Sequence, residues 1–265
     1  MAKQRLGDEN TQNFKLRLIS DRITDGRIYN QPTVSEVALV VDDVDTVYRK
    51  LYYDGMDICS KTGFPDLFIT FTCNPNLPEI QRVLAPLHLK AQDKLDVISR
   101  IFKIKFDQLL SDLSKGVLGK VLAYIYTIEF EKRGLPHAHI LIFLHPSNKY
   151  PRPEDIDKII SAEVPDPLKD PKLYNLVKTH MVHGPIGSKN LNSPCMKDMK
   201  CSNFYPKKFQ YSTIVDQDGY PLFRRRDNGH TIEKNIIILY NGHVVPHNPS
   251  LLLKYEAHIN MEWCN

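Results

Sequence analysis

The amino-acid sequence predicts an α+β fold in which helices flank a central, largely antiparallel sheet. Along residues 66–246 the apolar pattern has the order strand, helix, hairpin, helix, hairpin. The chain has 265 residues, of which 42% are hydrophobic and 25% charged, as in ordinary globular proteins. A chain of this length buries a sizeable core, so a folded domain is expected rather than disorder.

The strand and the helix that begin this order are well defined. The run "DLFITFTCNP" (66–75) is rich in β-branched and aromatic residues and closes with Asn-Pro, which is typical of a strand that ends in a turn. From Asp93 to Lys115, apolar residues recur at spacings of three and four, which predicts an amphipathic helix that stops at Gly116. Upstream, "SEVALVVDDVD" (35–45) fits either a short helix or a strand.

Two hairpins and a short helix complete the predicted elements. In "GKVLAYIYTIEFEKRGLPHAHILIFL" (119–144), two apolar strands flank "EKRGLP", whose Gly and Pro indicate a loop. The later part is richer in proline, so we expect an irregular C-terminal extension of the fold. Within it, "RPEDIDKIISAEV" (152–164) predicts a helix, and "KNIIILYNGHVVP" (234–246) predicts a hairpin that turns at Asn-Gly.

Charge and cysteine content exclude some classes of protein. The net charge of +4 permits a nucleic-acid partner without requiring one. Five scattered cysteines do not resemble a secreted disulfide scaffold, which favours a reducing compartment. The N-terminal "MAKQRLGDEN" has no apolar core, and no apolar run approaches 18 residues. We therefore expect a nuclear or cytosolic protein with no membrane partner.

Two histidines stand one residue apart in "GLPHAHILIFLHP" (134–146), at the start of a predicted strand. Residues i and i+2 of a strand share a face, so His137 and His139 present their imidazoles side by side. Across the predicted hairpin, Glu129 and Glu131 place a carboxylate opposite the pair. Two nitrogens and one oxygen suit a divalent ion that also holds a phosphate. The alternative is a pair of surface histidines.

Four segments together resemble the Rep-like nicking domain of Helitron transposons: "DLFITFTCNPNLPEI", "IFKIKFDQLLSDL", "YIYTIEFEKRGLPHAHILIFL" and "LLLKYEAHINMEWCN". The resemblance covers roughly residues 30–42 and 48–265. In it, "RGLPHAHIL" corresponds to the histidine-hydrophobic-histidine (HUH) motif of HUH endonucleases. The resemblance implies that His137, His139 and Glu129 bind Mg²⁺ or Mn²⁺. It also implies nicking and joining of single-stranded DNA in rolling-circle replication, in the nucleus.

The family's nucleophile is a tyrosine pair spaced Tyr-x-x-x-Tyr, on a helix that follows a stretch like Trp263-Cys264-Asn265. This chain stops at that stretch, so we expect it to contain no tyrosine pair of this spacing, and we assign no catalytic residue. We divide the chain into a partial N-terminal segment, 1–62, and a Rep-like domain, 63–265, incomplete at its C-terminus. Two functions stay open: a catalytically incomplete nicking enzyme, or a non-catalytic single-stranded DNA-binding module or inert transposon remnant.

A helicase activity is not expected from this chain. No G-x-x-x-x-G-K-[ST] loop is present, and "GVLGK" (116–120) is too short to cradle a triphosphate. A helicase partner would therefore come from a longer homologous protein.

A second candidate metal site involves cysteine. Cys195 and Cys201, together with the nearby His180 and His183, are candidate ligands of a structural zinc ion. The spacing of five residues between the cysteines fits no common zinc finger. The family often has a further cysteine where this chain has Ile186, so buried thiols are the alternative.

Basic clusters near aromatic residues give a candidate nucleic-acid surface. Lys207-Lys208 and Arg224-Arg225-Arg226 resemble a phosphate-binding and base-stacking surface for single-stranded DNA, and a solvated face is the alternative. The neighbouring aromatic residues are Phe204, Tyr205, Phe209 and Phe223. Trp263 is expected to anchor the core instead.

Overall fold

The computed structural model describes residues 16–19, 37–38, 54–55, 57–130, 135–184, 193, 195–217, 219–234 and 236–264. The chain forms two compact units, Met1–Lys149 and Tyr150–Asn265. The fold is α+β, as the sequence predicts. The predicted boundary between residues 62 and 63 differs from this division and stays a prediction about family domains.

The first unit is built on an antiparallel sheet with strand order β3-β5-β4-β1-β2. Its strands are β1 (Leu16–Ile19), β2 (Val37–Ala38), β3 (Leu67–Thr72), β4 (Val121–Phe130) and β5 (Pro136–Leu144). The strand predicted within 66–75 and the hairpin predicted within 119–144 are confirmed. Of the ambiguous segment 35–45, the described part is strand β2, and the remainder lies outside the described residues.

In the described part of the first unit, two α-helices follow β3 in the chain. They are α1 (Pro78–Leu84) and α2 (Leu95–Ser114), and α2 is the helix that the sequence predicts. Phe102 of α2 stacks on Phe71 of β3 with ring centroids 5.4 Å apart, and Phe106 meets Tyr126 of β4 edge-on at 4.9 Å. Helix α2 therefore covers one face of the sheet. Its apolar stripe packs against this face and is removed from water.

The described residues of the second unit form three short helices and mostly very short strands. The helices are α3 (Pro153–Ile159), α4 (Pro171–His180) and α5 (Pro249–Tyr255). The strands are β6 (Met196–Lys197), β7 (Lys200–Cys201), β8 (Ile214–Val215), β9 (Pro221–Leu222), β10 (Ile232–Lys234), β11 (Ile237–Leu239) and β12 (Ile259–Trp263). Pairs β6–β7, β8–β9 and β10–β11 are antiparallel. Helix α3 confirms the helix predicted within 152–164.

The hairpin predicted within 234–246 turns at a different place. Strands β10 and β11 pair from Ile232 opposite Leu239 to Lys234 opposite Ile237, so the turn precedes the Asn-Gly dipeptide. Asn241 and Gly242 lie in a 3-10 turn instead. The buried Asn241 side chain accepts a hydrogen bond from the Val164 N–H at 2.7 Å, which is a packing role rather than a turn role.

Trp263 anchors the second unit, as predicted. Its ring is 9% exposed, and Nε1 donates a hydrogen bond to the Tyr150 carbonyl at 3.1 Å. Among the helices that the structure describes, none combines the length and apolar character needed to cross a membrane.

Candidate functional site

The two histidines of the His-x-His motif lie on the sheet face that α2 does not cover. Along β5, Ala138 and Ile140 are fully buried, whereas His137 and His139 are partly exposed. Ile140 pairs with Tyr126, which contacts α2, so the histidines alternate onto the opposite face. Their ring centroids are 4.6 Å apart, with an interplanar angle of 75°. The two imidazoles are therefore adjacent.

Residues of the neighbouring strand β3 hold the two rings in place. Thr72 lies opposite His137, and its Oγ1 is 2.6 Å from Nδ1 of that ring. This hydrogen bond engages Nδ1, so metal ligation by His137 would use Nε2. The His139 ring stacks on Phe68 at 5.7 Å with a 5° interplanar angle. Sequence reasoning did not identify Thr72 and Phe68, although cross-strand pairing with β5 is the signal that points to them.

Glu129 takes part in this face through the β4–β5 register. It lies directly opposite His137, so its side chain emerges on the same face. However, the described residues hold only one group of three His, Cys, Asp or Glu side chains with donor atoms all within 4.8 Å of one another, and it is elsewhere. Glu129 thus pairs with His137 across the strands, but the donor atoms of Glu129, His137 and His139 do not all lie within 4.8 Å of one another. Glu131 lies outside the described residues.

That compact group consists of His183, Cys195 and Cys201, the three residues named as a possible zinc site. Cys201 is in β7 and lies opposite Met196 of β6, so the β6–β7 hairpin brings the two cysteines close. Nε2 of His183 is 3.3 Å from Sγ of Cys201. The group can hold a metal ion, because each side chain offers one ligand atom to a common point.

The electrostatics of this group favour the protonation states that bind metals. Burial opposes ionisation of the Cys201 thiol, but the backbone N–H groups of Tyr205 and Asn203 and the Cys195 side chain outweigh it and lower the pKa of Cys201. Burial, aided by the charge of Lys207, lowers the pKa of His183. A thiolate and a neutral imidazole are the ligand forms of these residues.

The predicted basic surface is largely occupied by internal contacts. Arg225 is only 4% exposed, and its Nη1 donates to the carbonyls of Ala162, Asn241 and Val244 at 3.2, 2.7 and 2.6 Å. A guanidinium buried among carbonyls is not available to phosphate. The prediction that Arg225 belongs to a DNA-binding surface is therefore corrected.

The two neighbouring arginines are also paired. Arg226 forms a two-point hydrogen bond with Glu163, at 2.9 Å from Nε and 2.7 Å from Nη2. Arg224 lies 3.4 Å from an Asp157 carboxylate oxygen. Because the charges of Arg224 and Arg226 each face a carboxylate, the three arginines offer less positive potential than the sequence implies.

The second basic cluster keeps its aromatic surroundings. Nζ of Lys207 lies 5.1 Å from the Tyr205 ring centroid and 5.9 Å from that of Phe204. Phe204 is 80% exposed and Lys208 is exposed as well, whereas Phe223 is 7% exposed and belongs to the core.

The sequence did not identify two exposed tyrosine rings as part of a candidate surface. Tyr211 is 86% exposed and precedes β8, and Tyr220 is 69% exposed and lies in the connection between β8 and β9. Aromatic residues beside a turn are a weak signal, since the sequence alone does not tell whether such rings face solvent.

The chain does contain one Tyr-x-x-x-Tyr spacing, formed by Tyr48 and Tyr52. The expectation that it lacks this spacing is therefore wrong, although both residues lie outside the described part of the chain. Tyr124 and Tyr126 are 6% and 5% exposed, and Tyr126 packs on α2, away from the histidine face. Tyr255 is 2% exposed.

Fold and site together define an α+β protein with a two-histidine sheet face and a separate His/Cys/Cys group. Residues 43–142 match the family model described as "Helitron helicase-like domain at N-terminus". The matched segment is thus similar to Helitron helicase-like N-terminal domains, and it includes α2, the β3 strand and both histidines. A search of curated proteins found no match.

Proposed function

We propose that this chain is a Helitron-type Rep domain of the HUH kind, which holds single-stranded DNA on the histidine face of its sheet. The observation that carries the proposal is the pair of adjacent imidazoles of His137 and His139, inside the segment that matches the Helitron helicase-like domain. A Helitron protein acts on transposon DNA, so a nuclear location and a helicase supplied by a longer homologous protein belong to the same proposal.

The donor set fits a divalent ion such as Mg²⁺ or Mn²⁺. His137 and His139 supply two nitrogens at adjacent positions, and Glu129 in register with His137 supplies a nearby carboxylate. Such an ion, when bound, would polarise a phosphodiester and stabilise the negative charge that develops on it. Thr72 and Phe68 would fix the two rings, so that their nitrogens do not have to be ordered when DNA arrives.

A non-catalytic binding module is the second candidate, favoured by the position of the tyrosines. The tyrosines that the structure describes in the first unit, Tyr124 and Tyr126, are buried, and the Tyr126 ring packs on α2. A nucleophile must lie in line with the phosphate that it attacks, and neither hydroxyl is on the histidine face.

The proposal is tested by metal-dependent DNA binding. Labelled single-stranded DNA is titrated with the full chain in Mn²⁺ and in a chelator, and Mn²⁺ binding is followed separately by electron paramagnetic resonance. The double substitution His137→Ala with His139→Ala should abolish the Mn²⁺-dependent part of both signals. His88→Asn is the matched control, because His88 is exposed and Asn tolerates its positive φ of 52°. Unchanged Mn²⁺ binding in the double variant would refute the proposal.

A further inference from the structure

We infer that the second unit holds a Zn²⁺ ion between Cys195, Cys201 and His183, and that this ion fixes the following loop, residues 201–207. The site is separate from the proposed ion at the histidine pair, and the inference stands without the proposed nicking function. Its basis is geometry: the three donor atoms already lie within 4.8 Å of one another.

The distance between His183 and Cys201 agrees with tetrahedral zinc. With Zn–S bonds of about 2.3 Å and Zn–N bonds of about 2.0 Å, ligand atoms of a tetrahedral site lie roughly 3.5 to 3.8 Å apart. The 3.3 Å between Nε2 of His183 and Sγ of Cys201 is close to that spacing, so an ion needs only a small adjustment. Zinc is usually four-coordinate, and water or one more side chain completes the set.

The ligand types select the metal. Two thiolates and an imidazole are soft to borderline donors, which favour Zn²⁺ over the Mg²⁺ or Mn²⁺ that oxygen-rich sites bind. On binding, each thiol gives up its proton, so two protons are released and two thiolates balance the two positive charges of the ion. The partly buried group thus becomes electrically neutral, which reduces the cost of burying charge.

The loop after Cys201 is wrapped around its sulfur. The backbone N–H groups of Asn203 and Tyr205 both donate to Sγ of Cys201, and Phe204 between them has a positive φ of 57°. Donors arranged in this way stabilise a thiolate. The Tyr205 ring also stacks on His183, with centroids 4.3 Å apart, so a second ligand is held by the same loop.

The loop carries the charged and aromatic groups of the remaining basic surface. Nζ of Lys207 lies over the Tyr205 ring, and the Lys207 N–H donates to the Gly242 carbonyl at 2.7 Å. An ion bound to Cys201 would therefore order Tyr205 and Lys207 through the hydrogen bonds to its sulfur. The metal has a structural role in this arrangement, because it fixes residues 201–207, which have little regular secondary structure of their own.

The first experiment measures the metal. The full chain, purified without chelator, should contain one zinc per chain by elemental analysis. Replacing zinc with Co²⁺ should give the near-ultraviolet absorption of thiolate-to-cobalt charge transfer. Cys195→Ser and Cys201→Ser should each lose that band, whereas Cys59→Ser, which alters a cysteine of the first unit, should keep it. His137→Ala with His139→Ala should also keep it, which separates this site from the histidine face.

The second experiment uses the unmutated chain, so that it does not depend on the variants folding. Zinc should protect Cys195 and Cys201 from alkylation, and a chelator should expose them. Chelation should also speed hydrogen exchange at the amides of Asn203 and Tyr205, while the β4–β5 hairpin keeps its protection. Equal alkylation rates with and without zinc, or a mass lower by two hydrogens that reveals a Cys195–Cys201 disulfide, would overturn the inference.

Discussion

Arg225 illustrates how a charged residue becomes a structural one. Its guanidinium is buried and donates to three backbone carbonyls from two separate segments, that of Ala162 and those of Asn241 and Val244 at one 3-10 turn. Burial lowers its pKa, which Tyr205 and Glu262 counteract. The side chain therefore acts as a cross-link between loops that have few regular hydrogen bonds.

We expect Arg225→Ala to lower the free energy of unfolding by about 3 kcal/mol or more, since it leaves buried carbonyls without a donor. Urea denaturation followed by circular dichroism measures this loss. Lys208→Ala is the control, because Lys208 is exposed and its removal should change stability by no more than about 0.5 kcal/mol. A stable Arg225→Ala variant with weakened, less salt-dependent DNA binding would instead restore Arg225 to the DNA surface.

Single residues differ in how far the sequence reveals them. The His183, Cys195 and Cys201 group was named from residue type alone, because few other roles bring histidine and cysteine together. The His137 and His139 geometry follows from strand alternation. Arg225 could not be placed, because its burial depends on carbonyls 16 to 63 residues away in the chain. A run of three arginines in sequence resembles a solvated patch in any case.

At the scale of elements, the Asn-Gly dipeptide shows why a turn signal was misplaced. Gly242 lies in a 3-10 turn where a Cβ atom would come within 2.6 Å of the Lys207 carbonyl oxygen and of Cε2 of Tyr240. Glycine is needed here for close approach of two backbone segments. The same dipeptide that favours a hairpin turn therefore serves packing, and the turn falls between Lys234 and Ile237.

Substituting Gly242→Ala should consequently destabilise the chain by about 1 to 3 kcal/mol, because backbone atoms must move to accept the methyl group. Thermal denaturation would register the loss as a lower Tm. Gly55→Ala provides the comparison, since a Cβ at Gly55 meets nothing within 4 Å. Equal Tm values for the two variants would contradict the close approach at Gly242.

Strand β12 and the segment before α5 contain two groups with opposite effects on pH stability. Burial raises the pKa of Glu262 from 4.5 to about 7, against the opposing effects of Asn260, Arg225 and Lys207. Burial lowers the pKa of His247 from 6.5 to about 4. The native state holds the Glu262 proton longer than the unfolded state does, so this contribution to stability is full below pH 4.5 and is lost as the pH rises to 7. The contribution of His247 to stability instead increases as the pH rises from 4 to 6.5. The pH dependences of the two groups therefore largely cancel.

Removing one of the two groups should reveal the effect of the other on the pH dependence of stability. We expect the stability of Glu262→Gln, relative to the unmutated chain, to rise by about 3 kcal/mol between pH 4 and pH 8, since each pKa unit is worth about 1.4 kcal/mol. The measurement is urea denaturation at a series of pH values. Glu233→Gln, at an exposed position of β10, should follow the unmutated curve. A Glu262→Gln curve parallel to the unmutated one would show that Glu262 ionises normally.

For the whole molecule, the sequence predicted one unit much better than the other. Helix α2 and strands β3, β4 and β5 are long, and their apolar periods directly reflect which side is buried. Six of the seven strands described in the second unit have only two or three residues, which is too short to show any period. Its polar contacts, such as Asp157 to Arg224 and Glu163 to Arg226, join distant parts of the chain, and pattern analysis does not detect them.

Catalysis by the whole chain depends on whether a tyrosine reaches the histidine face. In-line attack on phosphate needs a positioned hydroxyl, and an ion that polarises the target does not replace it. Since Tyr124 and Tyr126 are buried and the Tyr126 ring packs on α2, we expect no covalent adduct when the chain is incubated with Mn²⁺ and labelled single-stranded DNA. A denaturing gel would detect such an adduct.

Appending a helix that bears a Tyr-x-x-x-Tyr pair after Asn265 should give the adduct, because the pair then supplies a hydroxyl nucleophile, which the tyrosines described in the first unit do not offer to the histidine face. Adding His137→Ala and His139→Ala to the extended chain should abolish it, while His88→Asn should leave it intact. The unextended chain carries its own test in Tyr48 and Tyr52, which have the same spacing. An adduct formed by the unextended chain and lost in the Tyr48→Phe, Tyr52→Phe variant would assign the nucleophile to that pair and refute the expectation of an inactive chain.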